Sequence, residues 1–175
     1  MNISFRSLED NEEEFIQLQK WCNNKFVYEW FEQKALSLEE ITNKYKAKLE
    51  QQKQKLYIIQ CDNKDIGLMQ IYKFENDTNI EELSKYDNIY EYDMFIGEEE
   101  YLSKGIGKKI IKLINYSIYT KYNADAIILR PFKRNIRAIK CYEKCNFKVI
   151  SEYKDADTLG NSETIVVLLN KKSTN

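Results

Sequence analysis

The sequence predicts an α/β (α+β) protein, with a central mixed sheet of about seven strands and helices on both faces. Strand-like runs are followed by helical ones in the middle of the chain, hairpin-like strand pairs stand at both ends, and the composition suits one well-filled core. At 175 residues, 43% hydrophobic, with one Pro and five Gly, the chain can bury one substantial core and is too short for two ordinary domains. A single domain over residues 1–175 is expected, the last few residues forming a flexible tail.

Ile3 to Phe5 alternates as a short strand does, and Phe15, Ile16, Leu18, Gln19 and Cys22 follow helical spacing after the acidic stretch Asp10 to Glu14. Ser37 and Glu40 form a capping-box pair that opens a second helix through Ile41, Tyr45 and Leu49, with its lysines on the outer, solvated face. Leu56 to Cys61 and Ile66 to Phe74 are β-rich runs joined by the turn Asp62-Asn63-Lys64-Asp65. After the polar segment Glu75 to Asn88, Ile89 to Ile96 forms a fourth strand. Gly97 to Ser103 then leads into an amphipathic helix with Ile110, Ile111, Ile114 and Ile118 on one face. Ala126 to Leu129 is a short strand of the fully buried kind, ended by Pro131, and Asn135 can cap a helix carrying Ile136, Ala138, Ile139 and Tyr142. Asn146 is placed to end that helix in a left-handed conformation, and Phe147 to Tyr153 and Thr164 to Leu169 are the last two strands.

Several function classes fall away on composition. The chain has no histidine, which removes Ser-His-Asp and Cys-His nucleophiles, the HExxH metal site and any Cys/His zinc site. Its four cysteines lack CxxC spacing and are expected to be free thiols, so no metal is expected. No apolar run reaches the ~20 residues of a membrane span, and Met1 to Asp10 lacks a secretory pattern, so a cytoplasmic protein without a membrane partner is expected. Exposed strand edges leave a homodimer open.

Charge changes sign along the chain. Glu75 to Glu100 holds ten acidic residues and one lysine, whereas Tyr101 to Ile150 holds twelve Lys/Arg and two acids. The basic stretch surrounds a glycine turn at a helix start, which suits a phosphate-bearing cofactor, and the acidic stretch suits a small cationic substrate. A nucleic-acid partner is not expected, because the pI is about 5.8 and the acidic segment would repel a long polyanion.

In Leu102-Ser103-Lys104-Gly105-Ile106-Gly107-Lys108, two glycines let backbone N–H groups at a helix N-terminus approach a pyrophosphate. It is not a P-loop, which would need Gly at Leu102 and Ser or Thr at Lys109, nor a dinucleotide fingerprint, because Ile110 stands where a small residue belongs. The turn resembles the Q/R-x-x-G-x-G/A acetyl-CoA segment of the GNAT acetyltransferase superfamily, apart from its first residue. Asn135 to Phe147 is similar to the downstream N-x-x-A-x-x-x-Y-x-k-x-G-F pattern of that superfamily, with Asn146 in place of Gly. Within it, Tyr92-Asp93-Met94-Phe95-Ile96-Gly97-Glu98 and Tyr101-Leu102-Ser103-Lys104-Gly105-Ile106-Gly107 resemble the D-Q-F-I-G and W-S-K-G-I-G segments of the aminoglycoside 6′-N-acetyltransferases.

The resemblance implies a GNAT fold, a mostly antiparallel sheet, and acetyl-coenzyme A as cofactor. Leu102, Ser103, Lys104, Gly105, Ile106, Gly107 and Lys108 would hold the pyrophosphate, Phe95 and Ile96 would pair with the pantetheine arm, and Asn135, Ala138 and Tyr142 would contact the cofactor. Tyr142 would protonate the departing thiolate, and Asp93 would stand by the accepting amine as base or as electrostatic anchor. Trp21, Trp30, Tyr72, Glu91, Asp93 and Arg130 would line the acceptor site. Arg130 replaces the aspartate that usually precedes the family's proline, and would repel a cationic acceptor. Read as ordinary residues, Tyr142 is a tyrosine on an amphipathic helix, Asp93 a surface acid on a strand, and Trp21, Trp30 and Tyr72 core aromatics. The expected function is acetyl transfer to an amine, the 6′-amine of an aminoglycoside first. The alternatives are another amine (a polyamine, a small metabolite or a protein N-terminus) and a non-catalytic acyl-CoA sensor.

Overall fold

The computed structural model describes residues 1–75 and 79–172, so the expected C-terminal tail lies outside the described residues. The elements are β1 (Ile3–Ser7), α1 (Glu12–Cys22), α2 (Lys25–Tyr28), α3 (Leu38–Gln51), β2 (Gln54–Cys61), β3 (Lys64–Lys73), β4 (Ile89–Ile96), α4 (Ile106–Lys121), β5 (Ala126–Leu129), α5 (Ile136–Glu143), β6 (Lys148–Ala156) and β7 (Ser162–Lys171). They form a seven-stranded sheet in the order β1-β2-β3-β4-β5-β7-β6. The β4–β5 pair is parallel, whereas β1–β2, β2–β3, β5–β7 and β6–β7 are antiparallel, which is the mixed sheet expected.

Local chemistry explains the boundaries. Asn11 caps α1 by accepting from the Glu14 N–H, and Glu12, Glu13 and Glu14 complement the positive end of the helix dipole. At α3 the Ser37 hydroxyl accepts from the Glu40 N–H while the Glu40 carboxylate accepts from the Ser37 N–H, the reciprocal capping box read from the sequence. Asp62 (φ 49) and Asn63 (φ 63) make a two-residue hairpin turn of left-handed residues, tighter than the four-residue turn expected. Asn146 takes the left-handed conformation expected of it, with φ 67. Within the polar segment before β4, a 3₁₀ turn over Glu81–Lys85 buries Leu83 completely, a core residue that the segment's polarity concealed.

The chain forms two compact units. One comprises Met1–Tyr72 and Asp93–Lys104, and the other Lys73–Tyr92 and Gly105–Asn175. The core of the first contains Phe15, Leu18, Trp21, Ile41, Tyr45, Ile58 and Phe95. In the second, α4 buries Ile106, Ile110, Ile111, Ile114 and Ile118, each contributing about 1.5–3 kcal/mol of apolar burial. Phe74, Leu83, Ile89, Ala126, Ile128 and Leu169 cluster in the same unit. No helix of the described residues is long and apolar enough to cross a membrane.

Candidate active site

Asp93 sits on β4 in the first unit. Its Oδ2 accepts from Gln70 Nε2 at 2.9 Å and from the Tyr72 hydroxyl at 3.0 Å, both on β3. Because Gln70 and Tyr72 are two residues apart, their side chains leave the same face of the strand and converge on one oxygen. Oδ1 accepts no hydrogen bond among the described residues, and the half-buried carboxylate lies in the wall of a cleft with about 240 Å³ of free space. The structure thus brings Asp93 and Tyr72 together.

Gln70 was read from the sequence only as part of the Gln70-Ile71-Tyr72 strand and was given no role in the site. Lys48 Nζ donates to its Oε1 at 2.6 Å, so the amide has one allowed orientation: oxygen to the lysine, which only donates, and nitrogen to the carboxylate, which only accepts. Lys48 also contradicts the expected outward face for the α3 lysines. Ile41, Tyr45 and Lys48 follow i, i+4, i+7 spacing, so the stripe that carries two buried side chains carries Lys48 into the cleft wall. Burial lowers the Lys48 pKa, and repulsion from Lys44 lowers it further. Lys44 lines the same cleft and pairs with Glu32, and its ammonium and that of Lys48 stand over the Tyr45 ring at 5.9 and 5.7 Å.

The aromatic residues divide differently from expectation. Trp21 is 0% exposed, and its Nε1 donates to Glu98 at 2.8 Å. It forms core under the end of β4, where a Cβ added to Gly97 would come within 2.2 Å of its ring, and it has no surface left for an acceptor. Trp30 is half-buried in the turn after α2, and the two residues that follow it, Phe31 and Glu32, make the cleft wall. Phe31 stacks edge-on against Phe95 at 5.2 Å. The Phe95 side chain is therefore core, while its carbonyl abuts Gly67, where an added Cβ would lie 2.1 Å from the oxygen. The pairing of β4 with β5 ends at Glu91↔Ile128, but β4 itself continues to Ile96, so the backbone of Phe95 and Ile96 lies beyond the last paired residue.

Glu91 and Arg130, both in the second unit, meet each other. Arg130 Nε and Nη2 donate to the two Glu91 oxygens at 2.8 and 2.7 Å, and the guanidinium lies 5.4 Å from the Phe74 ring centroid and 3.4 Å from the Tyr153 hydroxyl. Burial opposes the charge on Arg130, but the Glu91 hydrogen bonds and charge outweigh it and hold the proton more firmly than usual. The expectation that Arg130 repels a cation is corrected: its charge is matched by a carboxylate that is 2% exposed.

The glycine turn enters α4 through Ser103 (φ 61) and Gly105 (φ 75), with Ser103, Lys104, Gly105 and Lys108 exposed and Leu102 half-buried. Gly105 caps the 16-residue helix without a side-chain hydrogen bond, leaving the first N–H groups uncovered by any cap. A Cβ at Gly105 would meet nothing within 4 Å, and one at Gly107 would come no closer than 3.7 Å to Cys141 Sγ. Packing within the chain does not require glycine at position 107, where a Cβ would make only an ordinary contact, and the space at Gly105 is open. In the same unit, α5 buries none of its eight residues fully. Asn135 caps α5 by accepting from the Ala138 N–H at 3.2 Å, and Tyr142 is half-buried with its ring 6.0 Å from Phe147.

A family model described as the acetyltransferase (GNAT) domain matches residues 10–154. The aminoglycoside N(6′)-acetyltransferase type 1 of Klebsiella pneumoniae is 25% identical over 148 residues, covering 78% of this chain and 70% of that protein. The spermidine N(1)-acetyltransferase of Escherichia coli (strain K12) is also 25% identical, over 152 residues, covering 86% and 75%. Among solved structures, an aminoglycoside acetyltransferase in complex with coenzyme A superposes with a TM-score of 0.81 at 21% identity, covering 98% of this chain and 95% of that one. The spermidine N-acetyltransferase of Vibrio cholerae, in complex with CoA and spermine, gives 0.74 at 18% identity and covers 97% and 95%. At these identities the superpositions establish the fold.

Proposed function

The chain belongs to the GNAT acetyltransferase family, and from that premise we propose that it moves the acetyl group of acetyl-coenzyme A to a primary amine held at Asp93. The observation that carries this reading is the Asp93 carboxylate in the cleft wall, pinned at one oxygen by Gln70 and Tyr72 and accepting from none of the described residues at the other. An oxygen in that state suits an ammonium or amine N–H donor. The family model spans residues from both units, which supports one transferase domain.

The uncapped start of α4, with Lys104 and Lys108 beside it, fits the pyrophosphate of the cofactor, and the backbone of Phe95 and Ile96 offers its free strand edge to the pantetheine amides. Asn135 and Ala138 belong to the cofactor side with Tyr142, on the helix that buries no residue fully. When bound, acetyl-coenzyme A supplies an activated acyl group. Asp93 holds the amine and takes, directly or through water, the proton that nitrogen releases as it forms the C–N bond. Tyr142 gives a proton to the sulfur as the C–S bond breaks. Cation anchoring with a water relay is the description of Asp93 that its two neutral hydrogen-bond donors suit.

The 6′-amine of an aminoglycoside is the acceptor that the Asp93 segment implies, and the Glu91 pairing of Arg130 removes one objection to it. Lys44 and Lys48 in the cleft wall favour a second reading, a smaller amine with fewer charges. Release of free CoA with kanamycin, tobramycin and spermidine, each tested separately, decides between them. Release with the drugs supports the first reading, and release with none of these amines or any smaller one would overturn the transferase.

A further inference from the structure

The cleft at Asp93 is electrically mixed. Its ionic lining residues are Glu32, Lys44, Lys48 and Asp93, two of each sign. Glu32 and Lys44 satisfy each other as an ion pair. Lys48 and Asp93 then remain, held on either side of one amide group by Gln70, whose oxygen takes the lysine and whose nitrogen takes the carboxylate. A polycation meeting this wall finds Asp93 attractive and Lys48 repulsive within the same small space. A molecule with an amine and an anion a few bonds apart meets both groups with the correct sign.

We infer that the acceptor is zwitterionic, a small amine that also carries a carboxylate, with Asp93 taking the amine and Lys48 taking the anion. The inference rests on the reading of Asp93 as the amine anchor and narrows the substrate class of that site. Two further observations support it. At the Lys48 ammonium, burial and the Lys44 charge outweigh the attraction of Asp93 and Glu32, so a further anion placed against it supplies opposite charge that the site lacks. Among the described residues its hydrogen-bond acceptor is a neutral amide oxygen, which leaves donor capacity on an –NH₃⁺ group that has three N–H bonds. The reaction is unchanged: a C–N bond forms, the thioester C–S bond breaks, nitrogen loses a proton and sulfur gains one.

Matched pairs that differ only in a carboxylate test this, namely L-ornithine against putrescine and L-lysine against cadaverine, with CoA release from acetyl-CoA as the readout. The expected result is a kcat/KM at least tenfold higher for the carboxylate-bearing member of each pair. In Lys48→Met the ratio is expected to collapse towards one, and in Lys48→Arg to persist. Lys48→Gln serves as the second variant if the methionine form does not fold. Equal or faster turnover of the plain diamines, or a preference that survives both neutral substitutions, would overturn the inference while leaving the transferase in place. Absence of release with every amine, zwitterionic or not, would remove the transferase reading itself.

Discussion

Glu91 is 2% exposed and gives both oxygens to Arg130, whereas Asp93, two residues along the same strand, gives one oxygen to Gln70 and Tyr72 and accepts from none of the described residues at the other. As sequence the two carboxylates share charge, strand and face, and both were expected to line the acceptor site, with Asp93 alone read as base or anchor. The difference lies in the partner. A bidentate guanidinium saturates Glu91 and makes it part of the fold, while two neutral donors orient Asp93 without cancelling its charge. Position in a motif therefore identifies candidates, and the hydrogen-bond complement decides which of them is available for chemistry.

The comparison breaks most severely at the closed carboxylate. Arg130→Ala leaves Glu91 buried without its cation and is expected to cost about 3 kcal/mol, seen as a Tm lower by roughly 6–12 °C. Replacing Glu91 as well, as Glu91→Gln with Arg130→Met, is expected to recover much of that loss. A Tm unmoved by Arg130→Ala would mean that the pair is not a structural element. On the chemical side, Tyr142→Phe is expected to lower kcat about 10- to 100-fold with affinity for acetyl-CoA unchanged in a binding titration, because only the proton to sulfur is lost. Unaltered kcat would assign Tyr142 to packing against Phe147. Ser37→Ala removes the capping box of α3, the helix that supplies Lys44 and Lys48, and is expected to cost about 1 kcal/mol in thermal unfolding.

The smallest expected effect concerns pH. Folding buries Lys48 and sets it beside Lys44, which lowers its pKa below the ordinary 10.5. Between the lowered native value and 10.5 the unfolded chain holds more protons than the folded one, so stability attributable to Lys48 rises with pH through that window. Lys48→Met is accordingly expected to be more stable than the native chain at neutral pH, with the gap closing towards pH 10.5. A gap that is constant with pH would show that the change acts through packing alone.

Much of the architecture was legible because it rests on local chemistry. The Ser37–Glu40 box, the left-handed Asn146, the isoleucine stripe of α4 and the glycine turn before it all depend on residues within a few positions of each other. Asp93 and Tyr72 became candidates through a resemblance to known segments. What escaped was set by distant pairing. Arg130 is 39 residues from Glu91, and nothing in either neighbourhood shows that the parallel β4–β5 register brings them into one bidentate contact. Gln70 and Lys48 are 22 residues apart on a strand and a helix, although the Ile41, Tyr45, Lys48 spacing did carry a usable signal. Trp21 was misplaced because an aromatic near a motif suits a substrate wall and a core equally, and only its burial against Gly97 distinguishes them.

The most direct test compares Asp93→Asn with the native chain in CoA release with the best amine found, alongside a titration of acetyl-CoA. Asparagine can still accept from Gln70 and Tyr72, so the fold is retained while the charge that holds the amine is removed. The expected result is a kcat/KM lower by about 100-fold or more with acetyl-CoA binding unchanged, as befits loss of a group acting at the accepting nitrogen. An Asp93→Asn enzyme that turns over at the native rate would contradict the assignment of Asp93 as the amine anchor.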